Sequence, residues 1–150
     1  MYVPAHFSKS RAEVLHAFIA RHPLATLVVR TATGLDANHI PIELLLADDG
    51  QPRLRGNVPR ANPVWQQALA AEPVLAIFSG AQHYVTPSWC PSKPRHGKVV
   101  PTWNYSAVHA EGRIRFVDDP QWLRSLVGSL TQAHEQRRGA PWAVDDAPGG

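Results

Sequence analysis

Apolar positions along this chain fall into short runs of strand type, bracketed by two stripes of helical spacing. Val14, Leu15, Phe18 and Ile19 share one helix face, and Pro23 ends that pattern after His22. Ser10 with Glu13 three residues later has the form of a capping box and predicts that the helix begins there. Ala25–Arg30 is rich in branched residues and reads as a strand. The turn pair Thr33-Gly34 leads into a second strand over Leu35–Ala47, and Asp48-Asp49-Gly50 returns the chain into a third over Arg53–Asn57. Asn62-Pro63 predicts a short helix over Pro63–Ala70, with the cap residue ahead of a proline at the first position. Pro73–Phe78 is apolar almost throughout, as in a strand covered on both faces, and Gln82–Val85 reads as a separate strand. Asn104–Val117 supplies a sixth, broken near Gly112. Asp119-Pro120 opens a last helix that turns Trp122, Leu123, Leu126, Val127 and Leu130 inward, with Gly139 as its C-cap.

Six strands joined in sequence by short turns, with few helices, predict a mainly β chain: a small antiparallel barrel with helices packed at its ends. The 150 residues suit a single domain over 1–150, and 44% apolar with 18% charged residues is a globular composition. No apolar run approaches a membrane span, and the N-terminus lacks the basic start and apolar stretch of a secretory signal. One cysteine, Cys90, excludes an internal disulfide and a cysteine-based zinc cluster, and a cytoplasmic location is the simplest expectation. The eight histidines show no ligand pair at helix or strand spacing and no HExxH, so no metal is expected. The net charge of +3 suits an anionic ligand (phosphate, nucleotide or DNA) without singling out nucleic acid.

Three segments carry candidate chemistry. Thr86–Thr102 has no periodicity and holds Pro87, Pro91, Pro94 and Pro101, two flanking tryptophans (Trp89 and Trp103), and Lys93, Arg95, His96 and Lys98 with no acid. A stiff basic loop with indoles suits an anionic aromatic ligand such as a nucleotide or flavin. Its composition fits a solvated basic loop with core tryptophans equally well. Arg53, Arg55 and Arg60 converge on the helix start at Asn62-Pro63, an arrangement that suits phosphate, and Gly56 permits close approach; an exposed arginine face is the alternative. Asn38 and His39 offer hydrogen bonds to the edge of a heterocycle, although a lone histidine is more often structural. The chain has no GxSxG, GxGxxG or Walker loop, which excludes Rossmann and P-loop nucleotide sites, and no helix-turn-helix is legible.

Five motifs in order, Met1–Phe7, Ala37–Pro41, Arg55–Pro63, Tyr84–Trp89 and Val100–Tyr105, resemble the PaiB family, FMN-binding negative transcriptional regulators. The resemblance extends to Trp142 and Asp146–Pro148, and departs from the family at Asn57, usually histidine, and Cys90, usually tyrosine. It implies an FMN-binding split barrel like that of pyridoxamine-phosphate oxidase, a homodimer with FMN at the subunit interface, and DNA as a further partner; family members continue past the position of Gly150, so the family's C-terminal segment is expected to be missing here. By resemblance plus charge, Arg55 and Arg60, or Lys93, would hold the phosphate. Asn38 and His39 would meet the isoalloxazine edge, Asn57 would stack or hydrogen-bond, and Thr102, Trp103 and Asn104 would line the pocket. A flavin-dependent oxidoreductase or flavin reductase is the alternative to a repressor, because the flavin itself carries redox chemistry.

Overall fold

A computed structural model describes residues 2–91, 93, 97–136, 138 and 140–147. The expected roles of Arg95 and His96, and of Gly139 as a C-cap, lie outside the described residues. The element order is helix α1 (Ala12–Arg21), strands β1 (Leu24–Thr31), β2 (Gly34–Leu46) and β3 (Pro52–Gly56), helix α2 (Val64–Gln67), strands β4 (Val74–Val85) and β5 (Thr102–Gly112), and helix α3 (Pro120–Glu135). All paired strands are antiparallel, in the order β3-β2-β1-β4-β5. The sheet is mainly β architecture left open, as in a split barrel, with five strands among the described residues where the sequence predicts six.

That difference has one cause. Pro73–Phe78 and Gln82–Val85 are not two strands but the two halves of β4, paired continuously with β5 except for a register shift between Ser79 and Gln82. Gly80 lies in this irregularity, and a Cβ there would fall 2.5 Å from Ser106 Oγ and 2.8 Å from the Phe18 ring. The glycine lets α1 press against the bend, and the bend redirects the outer half of β4. At its other end β5 stops at Gly112, short of the expected Val117.

The alternation along β1 sets the inside of the sheet. Ala25, Leu27, Val29 and Thr31 are buried. Ile19 of α1 packs with Ala25, Ile42, Ala76 and Phe78, while Leu27 and Val29 pack with Val64 of α2. On the opposite face Val28, Leu75 and Ile77 are half-buried, whereas Leu24 and Leu35 are exposed.

Local signals explain most of the helix boundaries. Arg11, not Ser10, occupies the N-cap of α1, with no side-chain hydrogen bond, so the capping box does not form. Asn62 Oδ1 does accept from the Val64 backbone N–H at 2.9 Å, yet α2 lasts only four residues, because the chain turns extended at Ala68 and Leu69 N donates to the Arg30 carbonyl. Asp119 caps α3 as expected, accepting from Trp122 N at 2.7 Å with Pro120 in the first turn. Leu126 and Leu130 are buried beneath α3, but Leu123, on the same stripe near the start of the helix, is exposed.

Candidate flavin site

The sheet register decides which predicted residues share a face. Cross-strand partners in an antiparallel pair point the same way, and neighbours along a strand point oppositely. Asn38 lies opposite buried Leu27 and so faces inward, where its amide donates to Asp36 Oδ2 at 2.7 Å and its oxygen accepts from Asn62 Nδ2 at 2.7 Å. His39 lies opposite Thr26 on the outer face, with Nδ1 3.0 Å from the threonine hydroxyl. The two therefore do not meet one ring edge together.

The predicted cations are also separated. Arg55 lies opposite Glu43 in the β2–β3 ladder and donates to its carboxylate through Nε at 2.8 Å and through a shorter Nη2 contact. Ser129 of α3 completes this cluster, its hydroxyl 2.8 Å from each Glu43 oxygen. Helix α3 thus covers the pair. The Arg60 guanidinium grips Asp118 through two bonds of 2.9 and 2.6 Å and lies 5.8 Å from the Trp65 ring centre. That guanidinium holds the Asp118 carboxyl below the ordinary carboxylate range, and the carboxylate raises Arg60 in return. Asn57 is half-buried in the segment between them.

The β4–β5 end brings more together. His83 and Val85 lie opposite Asn104 and Thr102, so these four share one face, while Tyr84 and Trp103 share the other. Thr102, Trp103 and Asn104 therefore do not line one wall. Trp103 instead donates through Nε1 to Gln82 at 2.8 Å, and its ring centre lies 6.1 Å from that of Tyr84. Beyond β4 the Thr86 hydroxyl accepts from Ser88 N, shaping a 3-10 turn over Pro87–Trp89 that carries Trp89 back over His83. The two rings are stacked, with centres 5.6 Å apart and planes 2° from parallel. At 62% and 56% exposure, Trp89 and Trp103 are surface aromatics, not the core anchors that the loop composition also allowed.

Beside this turn lies a cavity of about 340 Å³, lined by Val85, Thr86, Pro87, Trp89, Cys90, Val99 and Val100. Lys93 flanks it, with its backbone N–H donating to Cys90 O at 3.0 Å and Nζ reaching Ser88 Oγ at 3.5 Å. A larger hollow of about 530 Å³ borders Ser8, Lys9, Ser10, Arg11 and Val14, and offers one apolar side chain and no aromatic wall. Among the described residues no group of three His, Cys, Asp or Glu is placed to hold a metal, and no helix is long and apolar enough to cross a membrane.

A family model described as "Putative FMN-binding domain" matches residues 1–150. The chain belongs to this family. The cofactor of the family is FMN. The chain is similar, at 29% identity covering 92% of both sequences, to an uncharacterised protein of Saccharomyces cerevisiae. It is 32% identical to one of Emericella nidulans, over 99% of this chain and 73% of the relative. It is 30% identical to protease synthase and sporulation protein PAI 2 of Bacillus subtilis, over 94% of this chain and 65% of the relative.

The residues present fit such a cofactor. The smaller cavity is within the range of ligand pockets, which run from about 300 to 1,000 Å³. Its Val, Pro and Trp walls suit a planar ring, and the Lys93 ammonium suits a phosphate. Trp89 is legible in the sequence as one of the tryptophans flanking the basic loop, whereas His83 does not stand out as a site residue. The signal that could have found His83 is its place one strand period before Val85, at the mouth of the loop.

Proposed function

We propose that this chain is an FMN-binding subunit of a homodimeric negative transcriptional regulator, acting in the cytoplasm with DNA as its partner. The observation that carries the reading is the apolar, tryptophan-walled cavity flanked by Lys93, in a chain matched from end to end by an FMN-binding family. Lys93 is the better phosphate ligand of the predicted cations, because the Arg55 and Arg60 guanidinium groups are both spent on carboxylates. The outer sheet face supports a homodimer: exposed Leu24 and Leu35 flank half-buried Val28, Leu75 and Ile77, a patch suited to a second copy. The regulatory role rests on the resemblance of the five motifs to the PaiB family. Two copies double the charge of +3, which favours salt-sensitive association with DNA.

FMN titration and sedimentation of the purified chain test the reading. FMN binding, a dimeric mass and a gel shift that prefers one promoter over random DNA are the expected results. Lys93→Ala should weaken FMN about tenfold and leave riboflavin, which lacks the phosphate, unchanged. A chain that binds no FMN overturns the proposal.

One observation favours a second reading. Trp89 and Val100 are 62% and 81% exposed, so a ring bound beside them would remain open to a second reactant, as a flavin reductase or oxidoreductase requires. Bleaching of the bound flavin by a reduced nicotinamide would support that reading over the regulator.

A further inference from the structure

The sequence resemblance puts Thr102, Trp103 and Asn104 together along the pocket, but the register turns Trp103 to the other side of the strand. Trp103 pairs with Tyr84, whereas the cavity lies on the side of Val85 and Trp89, and Trp103 is not among its lining residues. Trp89 has what Trp103 lacks. It borders the cavity, it sits on a turn fixed by Thr86 and Pro87, and one face of its indole is already covered by the parallel imidazole of His83. A ring pair at this separation and angle is an offset stack, which restricts the indole while leaving its second face for a ligand. Asn104 lies directly opposite His83 on the same sheet face and is exposed, but like Trp103 it does not line the cavity.

We propose that Trp89 is the stacking wall for the isoalloxazine ring of FMN, and that His83 is the positioning residue holding the indole parallel to it. This inference rests on the FMN-binding reading and commits it to one face of the β4–β5 end. The phosphate end then points along the loop toward Lys93, whose ammonium is tethered to the same 3-10 turn through Ser88. Stacking against an indole quenches flavin fluorescence, so the arrangement has a spectroscopic signature separate from any activity.

The test titrates the 150-residue chain with FMN and with riboflavin, reading Kd from absorbance and the brightness of the bound flavin. Bound flavin should be strongly quenched in the unaltered protein. In Trp89→Leu it should brighten, with Kd for both ligands raised about tenfold, the usual loss for one removed stacking partner. Trp89→Phe should restore most of the affinity. His83→Ala should brighten the bound flavin in part, because the indole is then free to tilt. Trp89 is exposed, so these variants leave the core intact, and circular dichroism checks that they fold. Unchanged Kd and brightness in Trp89→Leu, with FMN still bound, overturn this inference and leave FMN binding standing. A loss confined to Trp103→Leu likewise assigns the ring to the other face. Absence of FMN binding by the unaltered chain removes both.

Discussion

Replacing Arg55 with alanine tests how the last helix is held, and separates a structural arginine from a phosphate ligand. Arg55 and Glu43 retain side-chain exposures of only 22% and 16%, and Ser129 of α3 lies on both carboxylate oxygens at 2.8 Å. Removing one member of a fully buried ion pair costs about 3–5 kcal/mol, because the other charge stays desolvated. The residual exposure lets water reach Glu43, so Arg55→Ala should cost about 2–3 kcal/mol. For a domain of this size that is a fall in Tm of about 5–10 °C. Arg53 on the same strand is the internal control. Its partner is Asp49 at 3.0 Å, but the two side chains are 64% and 53% exposed, and Arg53→Ala should cost no more than about 0.5 kcal/mol.

Urea melts of both variants, with Ser129→Ala as a third, provide the assay. Ser129→Ala should fall between them, near 1 kcal/mol, the usual net worth of a hydrogen bond. A double replacement, Glu43→Leu with Arg55→Met, should recover most of the loss, because apolar groups of similar volume remove the unpaired charge. FMN affinity of folded Arg55→Ala should match that of the unaltered chain. Equal stability of Arg55→Ala and Arg53→Ala would refute the packing of α3 over the β2–β3 pair. A large loss of FMN affinity at unchanged stability would return Arg55 to the phosphate.

Gly80→Ala should destabilise by about 1–3 kcal/mol in the same melts, since its Cβ would collide with Ser106 Oγ and with the packed Phe18 ring; a neutral result would mean that α1 does not press on the β4 bend. Asp119→Ala should cost about 1 kcal/mol through loss of the α3 cap, read as an equal fall in helix stability and in the global melt. The Asp118 carboxyl, followed by NMR, should titrate below the ordinary 3.8 and return toward it in Arg60→Ala. Its folded-state value is the depressed one, so the stability it contributes is complete above the unfolded value and is lost as pH falls through the folded one.

The strands were legible because their alternation is local. β1, β2 and β3 lie within a residue or two of where branched residues, Gly34 and Asp48–Gly50 put them, and Pro120 and Asp119 mark α3 without ambiguity. The single strand in place of two was not, because Ser79-Gly80-Ala81 carries a turn composition. Only the approach of Phe18 and Ser106 from elsewhere in the chain makes it a bend within one strand. Likewise α2 has an adequate cap, and it ends early because Arg30 of β1 claims the Leu69 amide, a contact across 39 positions of sequence.

The site was less legible than the fold for a related reason. Composition shows that cations and aromatics are present but not which side of a strand each occupies. Arg55 reads the same whether its partner is a phosphate or Glu43, and only the β2–β3 register, with α3 folded over it, selects the carboxylate. Asn38 beside His39, and Thr102 beside Trp103 and Asn104, look like compact clusters in sequence, yet the strand period splits each across two faces. Once that period is applied, the cluster that survives joins residues from two strands and a loop. His83, Asn104 and Trp89 are brought together by one register and one 3-10 turn. The same bend at Gly80 that hid the strand count sets the direction of the half of β4 bearing His83. A substitution there should therefore disturb flavin affinity together with stability, which a substitution of similar cost at Arg55 should not.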